Sequence, residues 1–161
     1  MKTHFSGNRK YLYDFNDLFL VHCPRCDKCA VVVPVPPDPD APPNKSVSPY
    51  SKIMFTPRRL TCTHCGYAAS WQGKRLAQYD DGRDWYFGCP LWLLTSCCGE
   101  TLWAFNANHL QFLDDFVRAS FRETHYNATL ASRLPEWMKL GKNRADVLKC
   151  LDKLRTMLPS T

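Results

Sequence analysis

The sequence predicts an α+β protein in which strands come first and helices come last. Two Cys-x-x-Cys pairs interrupt strand-like segments in the first half, and long aromatic and aliphatic runs follow them. Residues 106–158 then switch to the spacing of amphipathic helices. With 161 residues, 45% of them hydrophobic and 13% aromatic, the chain is long enough to form a single domain over 1–161 with a buried core.

The two cysteine pairs, Cys23 with Cys26 and Cys62 with Cys65, supply four thiolates. Four thiolates are the ligand set of a tetrahedral structural zinc ion, and an iron centre would use the same set. The valine run that follows the first pair predicts strands around each pair, whereas a thioredoxin-like redox pair opens a helix. Since no position is left for water or substrate, we expect one structural Zn²⁺ per chain.

The register of the first pair depends on the residue that follows its second cysteine. In a cysteine knuckle, the tight turn that carries such a pair, this residue commonly has a positive φ. Gly66 adopts that conformation without strain, and Asp27 visits it more readily than most residues. The competing pair, Cys26 with Cys29, would place Ala30 there. The sequence therefore favours the register that leaves Cys29 outside the metal site.

The remaining cysteines are expected to be core thiols, because free cysteine packs as a small hydrophobe. Adjacent cysteines in a strand point to opposite faces, so we do not expect Cys97 and Cys98 to share one metal ion. Alternatives are a second metal site that uses Cys89 and one of that pair, and a reactive thiol at Cys98. Cys150 belongs to this set of expected core thiols. The odd count of nine cysteines argues against a purely disulfide framework.

The strand-like part of the chain has two regions separated by a turn. The metal-binding region, 11–75, contains a proline-rich insertion at 34–49, which predicts an extended surface loop. Residues 52–61 are expected to form a strand into the second pair, and 67–71 the strand that returns from it. Residues 84–105 predict further antiparallel strands, including one across the aromatic run that begins at Trp85, and near-continuous hydrophobicity indicates that both faces are covered.

The last third of the chain predicts helices that pack on this aromatic-rich sheet. Asn106 or Asn108 is expected to cap a helix that runs to about His125. Pro135 suits the first turn of a short helix, and Asn143 is expected to cap the last one.

The two cysteine pairs resemble the zinc-ribbon superfamily, which includes rubredoxin-like and transcription-factor-type ribbons. The resemblance covers about a fifth of the chain, 18–33 and 58–71, and implies a zinc ribbon whose ligands are Cys23, Cys26, Cys62 and Cys65. The proline-rich insertion and the larger sheet and helices depart from that pattern. The whole chain is also similar to small uncharacterised bacterial or phage zinc-ribbon proteins, a likeness that implies no activity.

The formal charge of +6 suits a nucleic-acid or acidic partner. Between Tyr50 and Arg75 every charged residue is basic, and these residues would form a nucleic-acid-binding face near the second pair: Lys52, Arg58, Arg59, Lys74 and Arg75. The first hypothesis is therefore a nucleic-acid-binding accessory protein. The alternative is a protein–protein adaptor that uses the proline-rich loop or the basic C-terminal helix. No catalytic motif is found, so an enzyme ranks last.

The sequence also predicts a cytoplasmic protein. Residues 1–6 lack the apolar segment of a secretory signal, and the longest apolar runs are too short to cross a bilayer. In the cytoplasm thiols stay reduced, which favours metal ligands over disulfides. The sequence leaves the oligomeric state open.

Overall fold

The computed structural model describes residues 4–6, 10–36, 38–40, 42, 48–73, 75–77, 82–119, 121–123 and 134–160. It confirms the α+β class. The chain's contacts divide it into two compact units, Asn16–Trp92 and a second made of Met1–Phe15 with Leu93–Thr161. Among the described helices, none has the length and apolar character that a membrane crossing requires.

Both units contain strands and at least one α-helix. The strands are β1 His4–Ser6, β2 Phe19–His22, β3 Cys29–Pro34, β4 Arg58–Thr61, β5 Ala68–Trp71, β6 Leu93–Cys97, β7 Glu100–Ala104 and β8 Phe121–Glu123. The α-helices are α1 Pro49–Phe55, α2 Ala107–Arg118, α3 Glu136–Lys139 and α4 Arg144–Thr156.

In the unit Asn16–Trp92, an antiparallel sheet has the strand order β2-β3-β4-β5. The β2–β3 hairpin carries the first cysteine pair in its turn, and the β4–β5 hairpin carries the second, as the sequence predicts. Because β3 is antiparallel to both β2 and β4, those two strands run in the same direction. Both cysteine-bearing turns therefore lie at the same end of the sheet.

One face of this sheet is buried under aromatic side chains. Phe19, Val32 and Leu60 are fully buried and occupy neighbouring positions across β2, β3 and β4. The rings of Trp85 and Tyr86 meet the Phe19 ring edge-on, with centroids 5.7 and 5.8 Å away. Edge-to-face contacts of this kind add to the stability that burial of the ring area already provides.

The predicted strand at 52–61 is wrong in its first half, where the chain forms α1. The Ser48 side chain accepts a hydrogen bond from the Ser51 N–H at 3.1 Å, and Pro49 occupies the first turn. An N-cap serine followed by proline favours a helix start, and only Arg58–Thr61 remain extended. Within the proline-rich insertion, residues 37, 41 and 43–47 lie outside the described residues, and Pro34 and Pro49 belong to β3 and α1.

In the second unit, α2 and α4 pack on each other and on the β6–β7 hairpin. The cap of α2 is Asn106, whose side-chain oxygen accepts a hydrogen bond from the His109 N–H at 2.9 Å. The His109 imidazole is buried, and its Nδ1 accepts a hydrogen bond from the Phe105 N–H at 3.0 Å. Burial lowers the pKa of His109 to about 3, so this imidazole is neutral in the folded protein.

Two predicted helix boundaries need correction. Helix α2 ends at Arg118 rather than near His125, because the chain becomes extended at Ala119 and β8 then pairs in parallel with β1. Asn143 does precede α4, but its side chain makes no cap hydrogen bond and instead donates to the Trp137 carbonyl at 2.9 Å.

Candidate metal centre

The structure brings Cys23, Cys26, Cys62 and Cys65 together at the turn end of the β2–β5 sheet. Their four Sγ atoms all lie within 4.8 Å of one another. Two of the separations, Cys23 to Cys65 and Cys26 to Cys62, are both 3.6 Å. A tetrahedral zinc site with Zn–S bonds of about 2.3 Å separates its sulfurs by about 3.8 Å. This four-cysteine group could therefore hold a metal ion.

The first knuckle, residues 23–28, is closed by backbone hydrogen bonds. The Cys23 N–H donates to the Lys28 carbonyl at 2.8 Å, and the Asp27 N–H donates to the Cys23 carbonyl at 2.9 Å. The Arg25 N–H points at the Cys23 sulfur from 3.4 Å, which stabilises negative charge on that sulfur. Asp27 has a φ of 63°, the left-handed conformation that the sequence register requires.

The second knuckle, residues 62–67, repeats this pattern. The Cys62 N–H donates to the Tyr67 carbonyl and the Gly66 N–H donates to the Cys62 carbonyl, both at 2.9 Å. Gly66 has a φ of 78°. Cys29 is the first residue of β3, and its register partner is His22. Among the described residues it is not part of the four-cysteine group.

The thiols of Cys23 and Cys26 differ in how easily they ionise. Burial raises the pKa of Cys23, but hydrogen bonds from the backbone at Cys26 and Arg25 outweigh that effect and lower the pKa to about 7. For Cys26, a hydrogen bond from the backbone at Lys28 lowers the pKa, but burial and the three neighbouring thiols raise it to about 12. A metal ion supplies the positive charge that permits ionisation of every ligand.

A third turn, residues 84–89, has the hydrogen-bond closure of the knuckles without their cysteine pair. The Asp84 N–H donates to the Cys89 carbonyl at 3.0 Å, and Gly88 has a φ of 69°. The Asp84 carboxylate, which is 0% exposed, accepts hydrogen bonds from the N–H groups of Tyr86, Phe87 and Cys89 at 2.9, 2.7 and 2.6 Å. We call this segment the carboxylate turn.

The carboxylate turn corrects the strand that the aromatic run beginning at Trp85 predicts. Its side chains are apolar enough for a buried strand, but the Asp84 carboxylate takes the backbone N–H groups that a strand would use. Burial raises the pKa of Asp84, and its backbone hydrogen bonds oppose that shift.

A groove of about 490 Å³ lies beside the first knuckle. The half-buried rings of Tyr67 and Phe87 and the exposed side chain of Arg25 contribute to it. Its other lining residues include His22, Asp27 and Pro90. Nothing in the sequence places these residues together, because they come from three separate turns.

Arg58 does not belong to a basic surface and is withdrawn from the predicted nucleic-acid-binding set. It is only 2% exposed, and its guanidinium donates to the Asn16 carbonyl and lies over the Tyr86 ring at 4.4 Å. Burial lowers its pKa from the usual value for arginine. Because the side chain is buried, its guanidinium is not available to a phosphate.

Three other members of the predicted set, Lys52, Arg59 and Arg75, are exposed. Lys74 lies outside the described residues. Arg59 precedes Cys62 by three residues on β4, so it lies about 10 Å along the strand from the second knuckle rather than beside it. The sequence reasoning missed Arg25 and Lys28, which are exposed within the first knuckle. The sequence signal that could have identified these two residues was their position inside a predicted metal-binding turn.

Comparison with family models, with curated proteins and with solved structures finds no match for this chain. The zinc-ribbon interpretation therefore depends on the two cysteine pairs and on the geometry of the turns that carry them.

Proposed function

We propose that the four-cysteine group holds one structural zinc ion, and that the unit Asn16–Trp92 is a ribbon-type module that binds single-stranded nucleic acid. The observation that carries the proposal is the groove beside the first knuckle, where aromatic rings and a guanidinium adjoin the metal centre.

The type of the donor atoms and their arrangement support the assignment of zinc. All four donors are sulfur, and they come from two turns at the same end of one sheet. A site filled by four cysteines leaves no coordination position for a substrate or a catalytic water. Zinc in this position stabilises the fold and holds the β2–β3 and β4–β5 hairpins together.

Nucleic acid is supported by the combination of ring faces and positive charge. Bases stack on aromatic side chains in most proteins that bind single strands, and Tyr67 and Phe87 are only half-buried in the groove. Arg25 supplies positive charge in the groove, and the exposed Lys28 adds charge within the same knuckle. The acidic side chain of Asp27 disfavours a phosphate directly at its own position.

A salt series on short single-stranded DNA and RNA tests this proposal. Because phosphate binding releases counterions, affinity must fall steeply as salt rises, with a slope of about −0.7 per phosphate contact. Replacement of Arg25 and Lys28 together by glutamine should make the slope shallower by one to two contacts. Replacement of Lys149 and Lys153 on α4 by glutamine removes the same charge elsewhere and should leave the slope unchanged.

Tyr67→Ala supplies the complementary arm of the test. Loss of one stacked base should weaken binding by about 1–3 kcal/mol without changing the salt slope. Absence of binding at low salt would overturn the nucleic-acid proposal and leave the protein–protein adaptor. Zinc content measured on the same samples reports the metal proposal separately, so the two can fail independently.

A further inference from the structure

A second cluster of thiols lies in the other compact unit. Cys97 ends β6, Cys98 follows in the hairpin turn, and Cys150 lies on α4. The sulfurs of Cys97 and Cys98 are 3.8 Å apart, and the Cys97 sulfur lies 3.9 Å from the carbonyl of Asp146, one helical turn before Cys150. The Cys150 sulfur also approaches the Ser96 carbonyl at 3.6 Å. All three cysteines are free thiols.

The expectation that Cys97 and Cys98 point apart is wrong, because Cys98 is not in a strand conformation. Cys98 and Gly99 have φ values of 54° and 77°, and Cys97 pairs with Glu100 across the hairpin. Two consecutive residues with positive φ are typical of a tight hairpin turn. The alternation of side chains that holds within a strand ends at Cys97, and the Cys98 sulfur comes back towards its neighbour.

We propose that Cys97, Cys98 and Cys150 form a second metal site, which binds a thiophilic d¹⁰ cation such as Zn²⁺ or Cu⁺. The Cys97–Cys98 separation equals the distance of about 3.8 Å expected between thiolates of a zinc site and is close to the 3.6 Å separations of the four-cysteine group. A disulfide would need sulfurs about 2.0 Å apart. Thiolates are the donors that select soft cations.

The surroundings of the cluster favour a cation. Cys97 is buried, and its burial together with the adjacent Cys150 and Cys98 thiols raises its pKa. Adjacent thiolates repel one another, and a bound cation removes that repulsion while each ligating thiol releases its proton to solvent. Cys98 is exposed, which gives an ion a route from solvent.

This site differs from the four-cysteine group in being open. Among the described residues, only the four-cysteine group has every donor atom within 4.8 Å of the others. The second cluster therefore needs a small movement of Cys98 or Cys150 to close on an ion. Three donors also leave one tetrahedral position for a water molecule or an external ligand. We expect this ion to bind more weakly than the first.

Titration of reduced, metal-free protein with Cd²⁺ under anaerobic conditions tests the proposal. Cadmium is the probe, because its thiolate bonds give an ultraviolet charge-transfer band that grows with each ligand. In the wild type the band should continue to grow beyond the equivalent that fills the four-cysteine group, and should stop after a second. Cys98→Ser with Cys150→Ser should abolish the second equivalent, and Cys29→Ser with Cys89→Ser should keep it.

The single variant Cys98→Ser provides a second test that does not depend on a buried substitution, since the Cys98 side chain is exposed. It should lower the affinity for the second Cd²⁺ at least about tenfold, because even the loss of a residue that only supports a ligand changes metal affinity by that factor. Saturation of the wild type after one equivalent would overturn the proposal. Survival of the second equivalent in the Cys98 and Cys150 double variant, or its loss in the Cys29 and Cys89 control, would do the same. Repeating the titration with Zn²⁺ and with Cu⁺ identifies the preferred ion, and failure of both to bind also overturns it.

Discussion

The first knuckle and the carboxylate turn close through the same backbone contact. In each, the N–H of the first residue donates to the carbonyl five residues later, from Cys23 to Lys28 and from Asp84 to Cys89. In each, the fifth residue has a positive φ, 63° at Asp27 and 69° at Gly88. The difference lies in the group at the first position, which is a thiol in the knuckle and a carboxylate in the carboxylate turn.

That difference decides whether the turn needs a metal ion. The Cys23 sulfur receives backbone N–H groups from Arg25, at 3.4 Å, and from Cys26. The Asp84 carboxylate receives three, all at 2.9 Å or less, and such charge-assisted bonds are the stronger kind. A carboxylate with two oxygens satisfies its turn alone, whereas the thiolates of two adjacent knuckles repel one another unless a cation lies between them. We therefore expect the knuckles to depend on metal and the carboxylate turn not to.

Loss of the metal should have the largest effect. Replacement of Cys62 and Cys65 together by serine should abolish zinc binding at the four-cysteine group and disrupt both knuckles, because apparent zinc-binding energies of about 10–16 kcal/mol are folding energy in such sites. Hydrogen exchange should show lost protection at the N–H groups of Asp27 and Gly66. The N–H groups of Tyr86 and Phe87 should lose less.

Cys29→Ser is the control, because this thiol lies outside the four-cysteine group. The variant should retain its zinc and its protection from hydrogen exchange. Acid should reproduce the double variant, since each thiolate binds a proton as the pH falls and metal affinity falls with it. Equal loss of protection in the knuckles and in the carboxylate turn would contradict their independence. Unchanged zinc content in the double variant would contradict the ligand assignment.

Removal of the carboxylate should have the next largest effect. Asp84→Ala leaves three N–H groups without their acceptor in a buried turn, at about 1–3 kcal/mol for each such group, so we expect at least about 3 kcal/mol lower free energy of unfolding. Asp84→Asn keeps one acceptor oxygen and should cost about half as much. Urea unfolding in saturating zinc measures both changes.

Zinc content should be unchanged in both Asp84 variants, in contrast to the cysteine variants. Loss of zinc from Asp84→Ala would show that the carboxylate turn and the metal centre form one cooperative structure. A loss of stability below about 1 kcal/mol would show that the backbone, rather than the carboxylate, determines the shape of this turn.

The four-cysteine group was predictable from sequence because its information is local. The spacing of the cysteine pairs and the identity of Gly66 and Asp27 specify which cysteines come together and in which register. The carboxylate turn was not recognised, because Trp85 and its neighbours have the composition of a buried strand. A signal was present nonetheless, since Asp84 precedes Gly88 by the same interval that separates Cys62 from Gly66.

The predictions for two pairs of adjacent residues, Arg58 with Arg59 and Cys97 with Cys98, were wrong for the same reason. Side chains alternate between the two faces of a sheet only within a strand. Arg58 and Arg59 lie within β4, so they must point to opposite faces, and only Arg59 could have belonged to a basic surface. Cys97 and Cys98 span the end of β6, where alternation no longer holds. The sequence alone did not show which of these pairs was inside a strand, because that depends on the exact residue at which each turn begins.

The smallest expected effect tests whether the three turns share one backbone requirement. Gly66→Ala and Gly88→Ala should each lower the free energy of unfolding by about 1–2 kcal/mol, the cost of a side chain in the left-handed conformation. Steric clashes add nothing, since a Cβ at Gly66 meets no atom within 4 Å and one at Gly88 meets only the Ala77 Cβ, at 3.8 Å. Asp27→Gly relieves backbone strain in the folded protein but raises the conformational entropy of the unfolded chain. These effects oppose each other, so the free energy of unfolding should change by no more than about 0.5 kcal/mol. Urea unfolding in saturating zinc measures all three, and a cost at Gly66 without one at Gly88 would mean that the carboxylate turn can change its backbone where the metal-bound knuckle cannot.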